Sequence, residues 1–538
     1  MSANVSWIPT APATFWSSPN DQFSTWPKLA VLALSTFIIH RLYKSASLNM
    51  KLPPGPRGWP VIGSVFDIGP HMWLTFTEWK KHYGPIFYVN LAGRSMIVLN
   101  THEVATELLD KRSSIYSDRP RHIVASEIMS GEYLLGFMHF DDKWKRVRRG
   151  SHEAMNNQIT KTYRPFMQVE GYLLADSLMK APSMWNDHIK RSAASFIMSV
   201  VYGTKSMRTS TDPTLITLHK FLRRSLGAAA GKYWVEFFHF LEYMPRWLAP
   251  WRVEAEEWFK TDSKMFEGFY NQVKKRMADG DNRPCTVTTL IEEQKKKNLS
   301  TMESVWLAAA MYGGGSESTA GSLGWWITAM VVYPSALRAA QEELDRVVGR
   351  DRMPTFDDYD HLPYCRAMVK EVLRWRPATP LGVPHRVERD DWFNGYFIPK
   401  GTLVVANIWG MNHDEKVYGP DVHEFNPARF LEGSGKPLPS VSDTKDEGHV
   451  TYGFGRRICV GRHVANNNLF IQFASMAWAC NIQAKKDAQG NPIMPDADKC
   501  TSDLTMHTVP FDCDITPRFP EVPSIIAQSI ELNNYGQI

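Results

Sequence analysis

The sequence predicts a mainly α-helical fold with minor β structure, and three observations carry that expectation. Residues 304–333, "SVWLAAAMYGGGSESTAGSLGWWITAMVVY", read as one long buried helix, apolar nearly all round. Amphipathic stretches such as "PSALRAAQEELDRVVG" begin with Pro334 and end with Gly349, the asymmetry of helix termini. Strand-like alternation is the minor component: "GPIFYVNLAGRSMIVLN", residues 84–100, alternates around a Gly-Arg turn and predicts a β-hairpin. The 538 residues are 43% hydrophobic and 22% charged, enough for a large core, and no internal repeat divides them.

At the N-terminus, "LAVLALSTFIIH" runs between Lys28 and Arg41, with Trp26 before it and Tyr43 after it. The apolar run falls short of the roughly 20 residues that span a bilayer comfortably. Counted from Trp26 to Tyr43 it is a marginal span with aromatic residues at both ends. Arg41, Lys44, Lys51 and Arg57 follow it while Lys28 alone precedes it, so the body is expected in the cytosol. The expected division is a luminal tail over 1–25, a single-pass transmembrane anchor over 26–44, a proline-rich hinge over 45–63 and the body over 64–538. A cleaved signal peptide is the rival reading, but the preceding tail is long and lacks a basic start. Asn4 opens the glycosylation sequon "NVS", which this topology places in the lumen. "LPPGPRGWPVIG", residues 52–63, is a stiff extended connector, because proline fixes φ and removes donors.

The formal charge of +5 suits an anionic membrane surface or an acidic protein partner and is too weak to argue for nucleic acid. The six cysteines form no CxxC pair, so the body is expected in a reducing compartment with most thiols buried as small hydrophobes. Cys459 stands apart. It lies in "YGFGRRICVG", residues 452–461, where a glycine-rich loop leads into an apolar-periodic helix. Backbone N–H groups and the positive end of that helix would stabilise a thiolate, which suits a metal ligand. Gly453 and Gly455 allow tight turns, Gly461 lets a large planar group approach the backbone, and Arg457 could neutralise a carboxylate on that group.

With that loop the sequence resembles the cytochrome P450 family of haem-thiolate monooxygenases, whose haem loop reads F-x-x-G-x-R-x-C-x-G. Only Tyr452 departs from it, and since tyrosine keeps the ring, the resemblance implies little consequence. Further motifs follow in the family's order. Glu371 and Arg374 in "KEVLR" match the E-x-x-R pair, with Arg429 of "FNPARF" as third partner of the network beneath the haem. Trp144 and Arg148 of "DKWKRVRR" match W-x-x-x-R, and Arg386 of "VPHR" stands where a second arginine that binds a haem propionate is expected. The resemblance implies the cytochrome P450 fold over nearly the whole chain, with a long central helix over the haem and a cysteine-bearing loop beneath it. It also implies haem b with Cys459 as axial thiolate, and O2 and NADPH as co-substrates. No flavin or nicotinamide domain is recognised, so electrons are expected from an NADPH–cytochrome P450 reductase, with cytochrome b5 as a second donor. The expected location is the endoplasmic reticulum membrane, with the catalytic domain cytosolic.

The family's central helix carries [A/G]-G-x-[D/E]-T-[T/S], and Gly314, Gly315, Ser316, Glu317, Ser318 and Thr319 fill those positions. Glycine inside a helix costs about 1 kcal/mol against alanine, so three in a row need a reason. The expectation is a close approach to the haem, with local distortion that opens a groove for O2 and water. Glu317 is then the acid, and Ser318 or Thr319 the alcohol, of a proton relay. Serine stands where threonine is usual, and without the methyl its hydroxyl is less well fixed. By the same resemblance Ala309, Gly313, Gly314, Thr379, Leu381 and Val383 line a pocket for a lipophilic substrate, with a terpenoid of fungal secondary metabolism favoured. The aromatic stretch 231–251 is expected to roof it, with Trp247 and Trp251 toward a membrane. The alternatives are a haem-thiolate isomerase or dehydratase that does not activate O2, and a non-enzymatic haem-binding protein.

Overall fold

The structure is a computed structural model that describes residues 51–60, 62–433, 435–501 and 504–533, with Lys28, Leu29, Val31, Leu32, Ser35 and Thr36. The chain divides into two compact units: Pro54–Asp391 with Ile398–Ile538, and Met1–Pro53 with Trp392–Phe397. Among the described residues no helix is long and apolar enough to cross a membrane, so the structure gives the anchor expected at 26–44 no support. Most of that segment, and all of the tail with Asn4, lie outside the described residues.

The larger unit is helical. Helices α1 (Met72–Tyr83), α2 (Asp142–Met155), α3 (Arg164–Lys180) and α4 (Trp185–Tyr202) come first. Then follow α5 (Pro213–Ala229), α6 (Pro250–Ala278), α7 (Thr286–Lys297) and α8 (Thr301–Val332). The last are α9 (Pro334–Val347), α10 (Pro363–Trp375), α11 (Arg462–Ala479) and α12 (Val522–Leu532). Pro334 opens α9, and Gly349, with φ +76°, stands just past its end.

Helix α8 is the axis of the core. Ser300 and Glu303 close a capping box at its start, which satisfies N–H groups the helix cannot. It is α-helical throughout, across Gly313, Gly314 and Gly315, with no 3-10 or π turn interrupting it. Packing compensates for poor propensity, because Trp306, Leu307, Ala308, Trp325 and Trp326 are all fully buried. A Cβ on Gly315 would come within 2.6 Å of Ile197 on α4, so this glycine sets the close approach of α4 and α8.

Strands β1 (Ile86–Leu91) and β2 (Arg94–Leu99) form the expected hairpin, with Ile86 opposite Leu99. Its turn residues Ala92 and Gly93 both have positive φ, as a two-residue type I′ turn requires. Strand β3 (His385–Arg386) pairs antiparallel with β4 (Leu403–Ala406), which runs parallel to β2 and completes a four-stranded sheet. Strands β5 (Cys480–Ala484) and β6 (Cys513–Pro517) pair antiparallel.

Candidate haem-thiolate site

A cavity of about 390 Å³ lies against α8 and the loop that leads into α11. The loop owes its shape to its glycines. Gly455 has φ +57°, and a Cβ there would lie 2.0 Å from the Leu109 carbonyl oxygen, so no other residue fits. Its N–H donates to the Asp110 carboxylate, and the Cys459 N–H donates to the Tyr452 carbonyl at 2.9 Å. Gly461 borders the cavity, and a Cβ there would meet nothing within 4 Å, which leaves room for a flat group.

Cys459 opens onto the cavity and is enclosed on its other sides. Burial pushes its thiol up, while the Gly461 N–H, Arg148 and Arg462 pull the other way. A cation bound at the sulfur would tip this balance to thiolate.

Three guanidiniums line the cavity without a carboxylate partner among the described residues. Arg457 donates to the carbonyls of Ser117 (2.8 Å) and Met138 (2.7 Å) and stacks 4.3 Å over the Trp144 ring. Arg148 donates to the Ile458 carbonyl at 2.5 Å. Arg119 donates to the Gly136 and Pro384 carbonyls at 3.1 and 2.8 Å. Burial lowers all three: Arg457 to about 9 despite Asp118, Arg148 against the pull of Cys459, and Arg119 well below its usual range with Arg457 adding repulsion. Trp144 Nε1 is buried with no partner. A wall of buried, unneutralised cations and an orphan indole N–H fits a dianionic group, because unpaired buried charge is costly. Haem, with an iron for Cys459 and two carboxylates for these donors, meets that demand.

Trp144 and Arg148 share one face of α2, whose first turn is set by the Asp141 side chain accepting from the Trp144 N–H at 2.7 Å. The expectation for Arg386 needs correction. Its guanidinium is committed to Asp118 at 2.5 Å and is not among the residues lining the cavity. Asp118 also accepts from the Phe140 N–H at 2.9 Å and faces His139. The residues that do line the cavity here are Arg119 and His385, which the motif match passed over. His385 is the neighbour of Arg386 in β3, and successive strand residues point to opposite faces.

Helix α8 presents Ala310, Met311, Gly314, Gly315, Ser318, Thr319 and Ser322 to the cavity, two i, i+4 rows side by side. Ala309, Gly313 and Glu317 form the next row round and do not line it, contrary to expectation for the first two. A Cβ on Gly313 would instead meet Leu222 of α5 at 3.4 Å. Ser318 Oγ donates to the Gly314 carbonyl at 2.7 Å. Thr319 borders the same space. Thr379 and Val383 line the cavity, whereas Leu381 packs on the cluster of Phe76, Phe87 and Val98.

On the far side of α10, Glu371 and Arg374 are fully buried and joined by two hydrogen bonds of 2.7 and 2.8 Å. Arg429 reaches Glu371 at 3.0 Å, and Arg374 also donates to the carbonyls of Asn412, Val422 and Glu424. Every donor is matched, which is what makes a buried pair tolerable.

A family model described as Cytochrome P450 matches residues 53–513. The chain is 50% identical to a cytochrome P450 monooxygenase of Armillaria gallica over 486 residues, 90% of this chain and 93% of that protein. It is 46% identical to cytochrome P450 monooxygenase 58 of Postia placenta over 501 residues, 93% of this chain and 95% of that one. A cytochrome P450 monooxygenase of Amanita muscaria is 37% identical over 531 residues, 90% of this chain and 94% of that protein. Family model, relatives and a cavity that joins one cysteine to a cationic wall converge, and the chain belongs to the cytochrome P450 monooxygenases.

Proposed function

We propose that the chain hydroxylates a C–H bond of a lipophilic small molecule, a fungal secondary metabolite of terpenoid type, with electrons from NADPH through a separate reductase. The observation that carries this reading is that Cys459, Ser318 and Thr319 border one cavity with otherwise largely apolar walls. Cys459 would hold the haem iron, with Arg119, Arg148, Arg457, Trp144 and His385 toward its carboxylates. Bound there, haem supplies the O2 activation.

The chain's own part is binding and proton supply. Ile197, Leu135 and Met311 give the substrate an apolar wall and limit water. Ser318 is the alcohol that passes a proton into the cavity, its hydroxyl turning there from the Gly314 carbonyl to which it donates. Glu317, one row round the helix, is the acid that replenishes it through ordered water.

The catalytic domain is proposed to sit at the cytosolic face of the endoplasmic reticulum. Trp234, Phe240, Tyr243 and Trp247 are between 67% and 87% exposed along one short stretch, an apolar surface suited to a bilayer. The test is a reduced, CO-bound spectrum, in which the red-shifted Soret band is expected in the wild type and lost in Cys459→Ser. Turnover with reductase, NADPH and O2 should then yield a product heavier by one oxygen. Turnover without NADPH and O2 would sink the monooxygenase reading.

A further inference from the structure

Tyr452 is the one departure from the haem-loop motif, and its extra oxygen has a built partner. The ring lines the cavity beside Cys459. Its hydroxyl donates to Asn466 Oδ1 at 2.6 Å, and Asn466 Nδ2 donates to Glu447 Oε2 at 2.8 Å. The other Glu447 oxygen lies 3.7 Å from the Arg462 guanidinium, and Arg462 Nη1 donates to the Cys459 carbonyl at 3.5 Å. The Cys459 N–H returns to the Tyr452 carbonyl at 2.9 Å. These contacts close a polar ring that begins and ends on Cys459.

Chemistry fixes the direction of each link. An ionised Glu447 only accepts, so the Asn466 amide turns its NH₂ toward it and its oxygen toward Tyr452. The phenol must therefore donate. Arg462 and Asn466 stand at i and i+4 on α11, so a single helix face supplies two of the links. Phenylalanine at 452 would keep the packing and leave Asn466 Oδ1 without its donor.

We propose that Tyr452 is a positioning residue for Cys459, anchored through Asn466 and Glu447 so that the loop holds the sulfur at a fixed place beneath the bound haem. Groups one shell out from a metal ligand commonly orient it in this way. The proposal rests on Cys459 as the haem ligand and goes beyond it by giving the tyrosine hydroxyl a role that the family motif does not require.

The test uses the haem-loaded full-length protein and two readouts: the rate of haem loss to an excess of apo-haemoprotein scavenger, and the ferric/ferrous midpoint potential. Tyr452→Phe and Asn466→Leu are each expected to speed haem loss by about three- to tenfold, the worth of one buried hydrogen bond. Both should displace the midpoint in the same sense, and the double variant should do no more than the larger single. Additive effects of the two substitutions would overturn the proposal, as would a Tyr452→Phe protein identical to wild type in both readouts. Should Asn466→Leu not yield holoprotein, Tyr452→Phe decides alone, since it removes a single oxygen atom. A wild type lacking the thiolate–CO band would sink the haem-ligand reading itself. An intact band with idle Tyr452 sinks only the ring.

Discussion

Glu317 Oε2 lies 3.3 Å from His507 Nε2, so the acid of the central helix is tied to the C-terminal loop and not to the cavity wall. Burial works to raise the Glu317 carboxyl, yet the hydrogen bond and charge of His507, with His219 and Lys190 behind it, hold it below the ordinary carboxylate range. A carboxyl depressed in the folded state adds stability above its unfolded pKa and loses it as pH falls through the folded one. His507→Ala removes the leading depressing cause and lets Glu317 rise. The variant should be about 1–2 kcal/mol less stable at pH 7, with the gap closing as the solution is acidified below pH 4. Thermal midpoints of the two proteins at both pH values measure this, and an unchanged gap at acid pH would contradict it.

Arg119 and Arg386 separate by function. Arg119→Gln removes one of three unneutralised cations from the cavity wall and should speed haem loss by about tenfold, in keeping with a charge-assisted pair. Arg386→Gln removes the partly exposed partner of the buried Asp118, which keeps its bonds from the Phe140 N–H and His139, and haem loss should stay within about threefold of wild type. Haem transfer kinetics rank the two, and the reverse order would restore Arg386 to the cavity.

Arg374→Ala leaves Glu371 buried and opposed only by Arg429. Breaking such a pair typically costs about 3–5 kcal/mol, so the variant should accumulate little haem-loaded protein. The ratio of haem absorbance to total protein after purification reports it. Near-normal loading would mean that Arg429 alone suffices.

Ser318→Ala frees the Gly314 carbonyl and deletes the hydroxyl next to the cavity. Peroxide released per NADPH consumed should rise several-fold, while Thr319→Ala should change it less. Equal coupling in Ser318→Ala and wild type would move the relay to Thr319 or to water alone.

What the sequence disclosed follows from local spacing. Trp144 and Arg148 at i, i+4, Glu371 and Arg374 at i, i+3, and the glycines around Cys459 are fixed by helix pitch and turn geometry once the motif is read. The hairpin at Ile86–Leu99 and the terminating Gly349 were legible for the same reason. Composition at the N-terminus gave a weaker signal, and no helix long enough to cross a membrane stands among the described residues.

The sequence by itself determined that a cysteine would sit in a glycine loop before a helix, within a mainly helical chain built around a long buried one. Only the tertiary structure decided which way each chemical group faces. The rotation of α8 puts Ser318 and Thr319 on the cavity and Glu317 one row away, and no pattern within the helix fixes that rotation. The register of β3 sends His385 inward and Arg386 to Asp118, since neighbours in a strand face opposite ways. Arg119 and His507 reach their partners across long stretches of chain, and spacing along a sequence carries no record of such contacts.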